Sequence, residues 1–414
     1  MIKRIFVVLM CVSLLLSVFG CSKDKQDIPD TSESSGVLDD SSSDSESTSV
    51  DTSDDTEEST GGDTNGGGSQ KPDGVGEIFD WNAGDPPKIK YALNSSTEGV
   101  KILGVRNYSS ASSITCDWSC SGIELTVELV GGPIEVSVTH SRGSSYFKVY
   151  VDGVELKNGD SSYYNISGNG RIYLNGIPSG EHTLAIIKAT GYTRSRAEIT
   201  DISFAGSIVT SKKPADKQLY IEYVGDSISA GWGTIGAYNG EYTSMDGTLA
   251  YPWLVSKALN ADYSIMAMSG NGIRSGAFPR NYIYSSYDRD SSESGKYSFN
   301  RKADLVVVNI GTNDIDMPAE DFRAGYLKLL QDIKANNGDD CKILCIYGVM
   351  NHTYSEHILS VCTEMGGAGE GVYSLKLDKT AGVYTGHPTA EENAVYAEII
   401  TAYIRNTVLS DATA

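Results

Sequence analysis

Beyond Lys217 the chain alternates buried strands with helices, and this alternation limits its fold more than any other feature of the sequence. The predicted strands are Leu219 to Val224, Asp262 to Met268, Asp304 to Ile310, Lys342 to Val349 and Val372 to Leu377. Apolar residues at helical spacing predict helices over Pro252 to Leu259, Ala319 to Ala335 and Thr389 to about Val408. Residues 217–412 are therefore predicted to form a three-layer α/β/α domain with a parallel sheet, whose active site lies at the carboxyl ends of the strands.

Residues 78–212 have a different texture, in which short runs of alternating apolar and polar residues are separated by turn residues. Half-buried strands are predicted over Ile123 to Val130, Ile134 to Thr139, Tyr146 to Val151, Arg171 to Leu174 and Glu181 to Lys188. Gly131-Gly132-Pro133 and Asp152-Gly153 read as turns between them. No long segment of helical spacing intervenes, so this region is predicted to be an antiparallel β-sandwich of the jelly-roll type.

The N-terminus has the pattern of a bacterial secretory signal over residues 1–20, with Lys3 and Arg4 followed by an apolar run. The small Gly20 directly before Cys21 resembles a lipoprotein processing site, which implies a lipid on Cys21 and a membrane-anchored protein at the bacterial cell surface. Residues 21–77 are rich in Ser, Thr, Gly and acidic residues and poor in large apolar ones. Such a segment cannot bury enough surface to offset chain entropy, so it is predicted to be a disordered linker.

Charge and cysteine content exclude some classes of function. The acidic linker supplies much of the formal net charge of -21, and nothing in the chain favours a nucleic acid partner. Without Cys11 and Cys21 five cysteines remain, and this odd count argues against a disulfide framework. Cys116 and Cys120 could still form a bridge, and so could one pair among Cys341, Cys345 and Cys362. Neither cysteine group has the histidine partners of a zinc site, so no metal and no cofactor is expected.

Residues suited to acyl transfer follow successive predicted strands. Ser227 lies on a tight turn after the first strand, Gly270 follows the second, Asn313 follows the third and His387 precedes the last helix. A nucleophile, a base and donors for the oxyanion are the groups that acyl transfer requires. We therefore predict Ser227 as nucleophile, His387 as base, and an oxyanion hole formed by the Ser227 and Gly270 N–H groups with the Asn313 amide. For Trp232 two readings stay open: it contacts the sugar or acyl group, or it packs between the first helix and the sheet.

This arrangement resembles the SGNH or GDSL hydrolase superfamily from about Leu219 to the C-terminus, with Ser227, Gly270, Asn313 and His387 as the named residues. Members of that superfamily usually carry an aspartate three residues before the histidine, where this chain has Tyr384. The group that orients the imidazole must then be a different one. A backbone carbonyl and Asp378 are the candidates, and the carbonyl is favoured, so a Ser-His dyad is expected.

The β-sandwich before such a domain narrows the resemblance to carbohydrate esterase family 2. Residues Tyr146 to Gly153, Ile177 to Leu184, Gly225-Asp226-Ser227 and Gly311-Thr312-Asn313-Asp314 carry it. The resemblance implies an esterase that removes acetyl groups from plant polysaccharides such as xylan or glucomannan. Two alternatives stay open: a GDSL lipase or thioesterase acting on longer acyl esters, and a non-catalytic carbohydrate-binding surface lipoprotein.

Overall fold

The computed structural model describes residues 86–104, 112–235, 244–273, 301–378 and 386–410, and these residues form two β-sheets of different kinds. Both sheets belong to one compact unit. The predicted signal, Cys21 and the whole of the predicted linker, residues 21–77, lie outside the described residues. No helix within the ranges described is long and apolar enough to cross a membrane.

The antiparallel sheet consists of β1 (Ile89–Ala92), β2 (Val100–Leu103), β3 (Ile114–Cys116), β4 (Gly122–Arg142), β5 (Ser144–Val151), β6 (Val154–Leu156), β7 (Tyr164–Ser167), β8 (Gly170–Leu174), β9 (Gly180–Lys188) and β10 (Arg196–Ile208). The parallel sheet and its helices follow as β11 (Tyr220–Gly225), α1 (Ser227–Ala230), α2 (Tyr251–Ala258), β12 (Asp262–Ala267), β13 (Leu305–Asn309), α3 (Ala319–Asn337), β14 (Lys342–Tyr347), α4 (Ser355–Glu364), β15 (Val372–Lys376) and α5 (Ala390–Tyr403).

The five parallel strands lie in the order β12-β11-β13-β14-β15, which confirms the predicted parallel sheet. Their side chains alternate between two buried faces. Val306 and Val308 pack in one core cluster with α3 and α4, whereas Leu305 and Val307 pack in the other with α2 and α5. Because β11 lies between β12 and β13, the loops leaving β11 and β13 border the crevice where sheets of this kind bind ligands.

The prediction of a turn at Gly131-Gly132-Pro133 was wrong, because the strand β4 runs through it without interruption from Gly122 to Arg142. Gly131 and Gly132 have positive φ angles of 151° and 74°. Opposite them the register with β10 shifts, so that Ser203 faces Glu135 while Ala205 faces Gly131. The glycines therefore form an irregularity within one strand. The Gly-Gly-Pro pattern in the sequence does not distinguish such an irregularity from a turn. The predicted turn at Asp152-Gly153 does join β5 to β6 as a hairpin.

The antiparallel sheet is joined to the parallel sheet by a buried ion pair at edge strand β12, to which a partly exposed arginine of the parallel half adds a second contact. Lys101 Nζ on β2 lies 2.7 Å from Asp262 Oδ1, and Arg301 lies 2.5 Å from Asp262 Oδ2. Burial opposes ionisation of Asp262, but hydrogen bonds from Lys101 and Arg301 keep its pKa below the ordinary value. The five cysteines among the described residues are buried free thiols, so neither the bridge between Cys116 and Cys120 nor one among the later three cysteines is formed.

Candidate active site

The turn between β11 and α1 carries Ser227 as the first residue of the helix. Asp226 is extended and caps α1, since its carboxylate accepts a hydrogen bond of 2.9 Å from the Ile228 N–H. Gly225 is needed for this close approach, because a Cβ there would lie 2.1 Å from Ser229 Oγ. The chain thus turns within two residues, and Ser227 is buried to 3 % exposure at the carboxyl edge of the sheet.

The structure brings Ser227 and His387 together, with Ser227 Oγ 2.6 Å from His387 Nε2. His387 precedes α5, whose start is held by the predicted capping box: the Thr389 hydroxyl accepts from the Glu392 N–H, and the Glu392 carboxylate accepts from the Thr389 N–H. Asn393 fixes the same segment, because its amide donates to the Pro388 carbonyl at 3.2 Å. A histidine beside a hydrogen-bonded helix start therefore contacts a serine on a hydrogen-bonded turn.

The surroundings of this pair favour neutral groups. Burial lowers the pKa of His387 to about 4, so the imidazole is neutral over most of the pH range. The Trp232 ring lies against it, with ring centroids 5.9 Å apart, and is only 7 % exposed. Burial also raises the pKa of Asp226 to about 7, although hydrogen bonds from the Ile228 N–H and the Thr312 hydroxyl favour its carboxylate. A neutral imidazole within hydrogen-bond distance of a hydroxyl has the geometry of a general base.

The loops that carry Gly270 and Asn313 are bonded to each other and to the serine turn. Asn313 Nδ2 donates to the Asn271 carbonyl at 2.7 Å, and Asn271 Nδ2 donates to the Gly225 carbonyl at 3.1 Å. Gly270 has a φ of +83°, and a Cβ built on it meets nothing within 4 Å, so its backbone borders open space. The three predicted strand-end groups thus lie in one hydrogen-bonded cluster of loops.

Two residues of this cluster hold the loops rather than facing the open space. Asp314 is buried, and its carboxylate accepts from the Ile273 N–H at 2.9 Å. Asn271 is 2 % exposed and connects two loops through its side chain and its carbonyl. The sequence pattern does not single out Asn271, and the only local signal for it is an amide side chain next to a glycine at a strand end.

The geometry bears on which group orients His387. The Asp378 carboxylate is largely exposed and lies 2.8 Å from Lys376 Nζ, and this contact holds the pKa of Asp378 below its usual range. Asp378 is thus engaged with a surface lysine, and the backbone carbonyl that was favoured to orient His387 stays a prediction. Tyr384, which stands where the superfamily usually has aspartate, lies outside the described residues. Within the described ranges there is also no group of three His, Cys, Asp or Glu side chains suited to a metal ion.

A parallel sheet with this strand order, and a Ser-His pair at its carboxyl edge, are similar to the fold and site of SGNH hydrolases. Residues 223–404 match the profile of the GDSL-like lipase/acylhydrolase family. The chain is 24 % identical over 268 residues to an acetylxylan esterase/glucomannan deacetylase of Cellvibrio japonicus, covering 55 % of this chain and 70 % of that protein.

Solved structures of family-two carbohydrate esterases share the fold. One from Clostridium thermocellum, in complex with cellohexaose, has 22 % identity and a TM-score of 0.66 over 74 % of this chain and 98 % of its own. Another from Cellvibrio japonicus has 17 % identity and a TM-score of 0.67 over 78 % of this chain and 99 % of its own. Together with the profile match and the esterase relative, these similarities confirm the predicted resemblance to carbohydrate esterase family 2.

We expect the His387 imidazole to titrate with a midpoint near pH 4, well below the value of about 6.5 for an exposed histidine. Burial is the cause, so Trp232→Ala, which opens the ring to water, should move the midpoint upward. Trp253→Ala is the matched control, since Trp253 is equally buried but packs against Tyr150 and Tyr263. NMR titration of the carbon-bound protons of the imidazole measures the midpoint in the unaltered protein and in both variants. A midpoint between 6 and 7 in the unaltered protein would contradict the prediction.

Proposed function

We propose that this chain is a serine esterase that removes O-acetyl groups from plant cell-wall polysaccharides such as xylan or glucomannan. The observation that carries the proposal is the 2.6 Å contact between Ser227 Oγ and His387 Nε2, at the carboxyl edge of a parallel sheet. Its support is the similarity to a protein named acetylxylan esterase/glucomannan deacetylase and to structures of family-two carbohydrate esterases.

In the first half of the proposed reaction His387 takes the proton of Ser227 as the hydroxyl attacks the acetyl carbonyl carbon. The burial that lowers the pKa of His387 to about 4 keeps the imidazole neutral before the attack, and in the tautomer protonated on Nδ1 its Nε2 accepts the serine proton as a general base. Collapse of the tetrahedral intermediate breaks the bond to the sugar oxygen. His387 then gives its proton to that oxygen, and an acetyl-serine remains.

In the second half water attacks the acetyl-serine with His387 again as base, which releases acetate and restores Ser227. Both tetrahedral intermediates carry an oxyanion. We assign its stabilisation to the N–H groups of Ser227 and Gly270 and to the Asn313 side-chain amide. Within the described part of the chain, one N–H of Asn313 is committed to the Asn271 carbonyl. The second N–H of the same amide remains available for the substrate.

Trp232 is proposed to wall the acyl pocket rather than to offer a face to a sugar ring. The ring is 7 % exposed and packs beside His387, which leaves little of its face for stacking. A bulky side chain beside the base restricts the room for an acyl chain and so favours acetate over long acyl groups.

Replacement of Ser227 by alanine removes the nucleophile, and we expect the release of acetate from an aryl acetate and from acetylated xylan to fall by at least about a thousandfold. Ser229→Ala is the matched control: Ser229 lies on the same short helix and is buried, but its hydroxyl contacts Tyr251 at 2.8 Å. That variant should stay within a few-fold of the unaltered protein. Equal rates for the unaltered protein and Ser227→Ala would refute the proposal, and faster cleavage of octanoate than acetate esters would favour a lipase.

Replacement of Asn313 by alanine removes one proposed oxyanion donor, and we expect kcat to fall by about 100-fold to 1000-fold with little change in KM. The loss appears in kcat because the oxyanion exists only in the transition state and the intermediates. Asn336→Ala is the control, since the Asn336 amide donates to the Asp332 carbonyl on α3. Steady-state kinetics on an aryl acetate measures both variants, and an unchanged kcat for Asn313→Ala would exclude the assignment.

Two features of the N-terminal half are also proposals. Residues 78–212 are assigned to a jelly-roll sandwich, with the support that all pairings in the described part of this region are antiparallel and that β4 pairs with β9 in its first half and with β8 in its second. Cys21 is proposed to carry the lipid that anchors the protein to the cell surface, on the support of the signal and processing pattern before it.

If Cys21 carries the lipid, Cys21→Ser should abolish lipid attachment, because the thiol is the acceptor of the diacylglycerol. Bacteria that express the full chain with an alkyne fatty acid should yield labelled protein in the membrane fraction. The variant should be unlabelled and leave that fraction. Cys116→Ser, which alters a buried thiol, serves as the control that keeps its label. Labelling that persists in Cys21→Ser would exclude this residue.

A further inference from the structure

Asp246 connects the antiparallel sheet to the chain segment that packs on the catalytic pair. The residue is completely buried, and its carboxylate accepts hydrogen bonds from two different parts of the fold. Its Oδ1 accepts from the Thr248 N–H at 2.7 Å and from the Thr248 hydroxyl at 2.6 Å, which fixes the local turn. Its Oδ2 is directed to the antiparallel sheet.

Two residues of that sheet region contact Asp246 Oδ2. Lys148 Nζ on β5 lies 3.0 Å away and is buried, so the pair is an ion pair shielded from solvent. The Tyr163 hydroxyl, just before β7, donates to the same oxygen at 2.7 Å. Burial and the nearby Asp246 charge raise the pKa of Tyr163, so its hydroxyl remains a donor at any working pH.

The main chain of Asp246 is bonded in turn to the residues on both sides of Trp232. The Asp246 N–H lies 3.2 Å from the Gly231 carbonyl, and the Thr234 hydroxyl is 2.9 Å from both the N and the O of Asp246. The neighbouring Met245 forms a β-bridge with Trp232 itself. A displacement of Asp246 is therefore transmitted to residues 231–234.

Residues 231–234 reach the catalytic pair directly. The Trp232 N–H donates to the Ser227 carbonyl at 3.0 Å, and its ring lies against His387. Gly233 is so close that a Cβ on it would lie 2.9 Å from His387 Cβ. The position of this segment consequently limits where the imidazole can lie.

We propose that Tyr163 and Lys148 are positioning residues for the esterase reaction, through which the antiparallel sheet holds Trp232 and Gly233 against His387 by way of Asp246. This inference rests on the function proposed above. It gives the N-terminal region a part in the catalytic geometry without contact with the substrate. Two further contacts attach the same segment to that region: Gly247 N–H donates to the Ala189 carbonyl at 2.7 Å, and Gly191 N–H lies 2.9 Å from Met245 Sδ.

The test compares Tyr163→Phe with Tyr164→Phe. Tyr164 is the adjacent residue of the same region, but its hydroxyl is 3.4 Å from the Lys157 carbonyl and has no bond to Asp246. Both changes remove one hydroxyl and keep the ring. We expect Tyr163→Phe to lower kcat on an aryl acetate by about tenfold, as for the loss of a hydrogen bond to a charged group, with KM within about twofold. Tyr164→Phe should leave both constants unchanged.

A second readout is the rate at which a fluorophosphonate modifies Ser227, because this reaction needs the same serine and imidazole but no acetyl ester. It should slow in Tyr163→Phe and not in Tyr164→Phe, while the melting temperatures of the two variants stay similar. Lys148→Arg, which keeps the charge, should retain more activity than Lys148→Met. If Tyr163→Phe matches Tyr164→Phe in both kcat and modification rate, the positioning role is refuted. An unaltered protein that reacts with the phosphonate but cleaves no acetyl ester would refute the proposed function instead, and the modification rates would still test the positioning role.

Discussion

The 2.6 Å contact between Ser227 and His387 is the interaction on which the rest of this structure depends, because it joins two residues 160 positions apart. Neither residue can reach the other by local folding. The contact exists because β11 occupies the middle of a parallel sheet, and because α5 starts at the same edge after the chain has completed the remaining strands. Asn393 joins the start of α2 to the segment before α5, since its side chain accepts from the Tyr251 N–H and donates to the Pro388 carbonyl beside His387.

Burial shifts the pKa values of Asp226 and His387, both near Ser227, in opposite directions, and each shift favours the neutral form of the side chain. The pKa of Asp226 is raised to about 7 and that of His387 is lowered to about 4, in each case because a charged form loses its hydration. In such a low-dielectric site a hydrogen-bond donor aimed at a developing negative charge has a larger effect than it would in water. The same exclusion of water therefore keeps His387 neutral and would strengthen the oxyanion donors assigned to Gly270 and Asn313.

Periodicity predicted the parallel half of the fold well because its strands are buried on both faces and read as continuous apolar runs. Helix α3 was equally clear, with Phe322, Tyr326 and Leu330 on one face. Helix α4 was missed because only three of its ten residues are buried. Strand β10 was missed because its apolar residues alternate with Asp, Ser and Thr, which read as loop residues. The gathering of Ser227, Gly270, Asn313 and His387 at one edge of the sheet could be predicted from their order and their placement at strand ends, whereas the contacts of Asp246 could not, because its partners Lys148 and Tyr163 are distant in sequence.

The spacing of apolar residues changes near residue 217, from the pattern of an antiparallel sheet to that of alternating strands and helices. Side-chain packing is nevertheless continuous across this boundary. Trp118 and Tyr192 of the antiparallel region stack on each other and belong to the same buried cluster as Met268 and Ile273, which flank the Gly270 loop. Lys101 reaches the start of β12 at the opposite end of that strand. Together these contacts cover an edge strand that would otherwise expose a row of unpaired backbone groups and apolar side chains to water. Without this cover, the edge strand β12 of the parallel sheet would be exposed to water. The turn that presents Ser227 follows β11, the strand directly beside that edge.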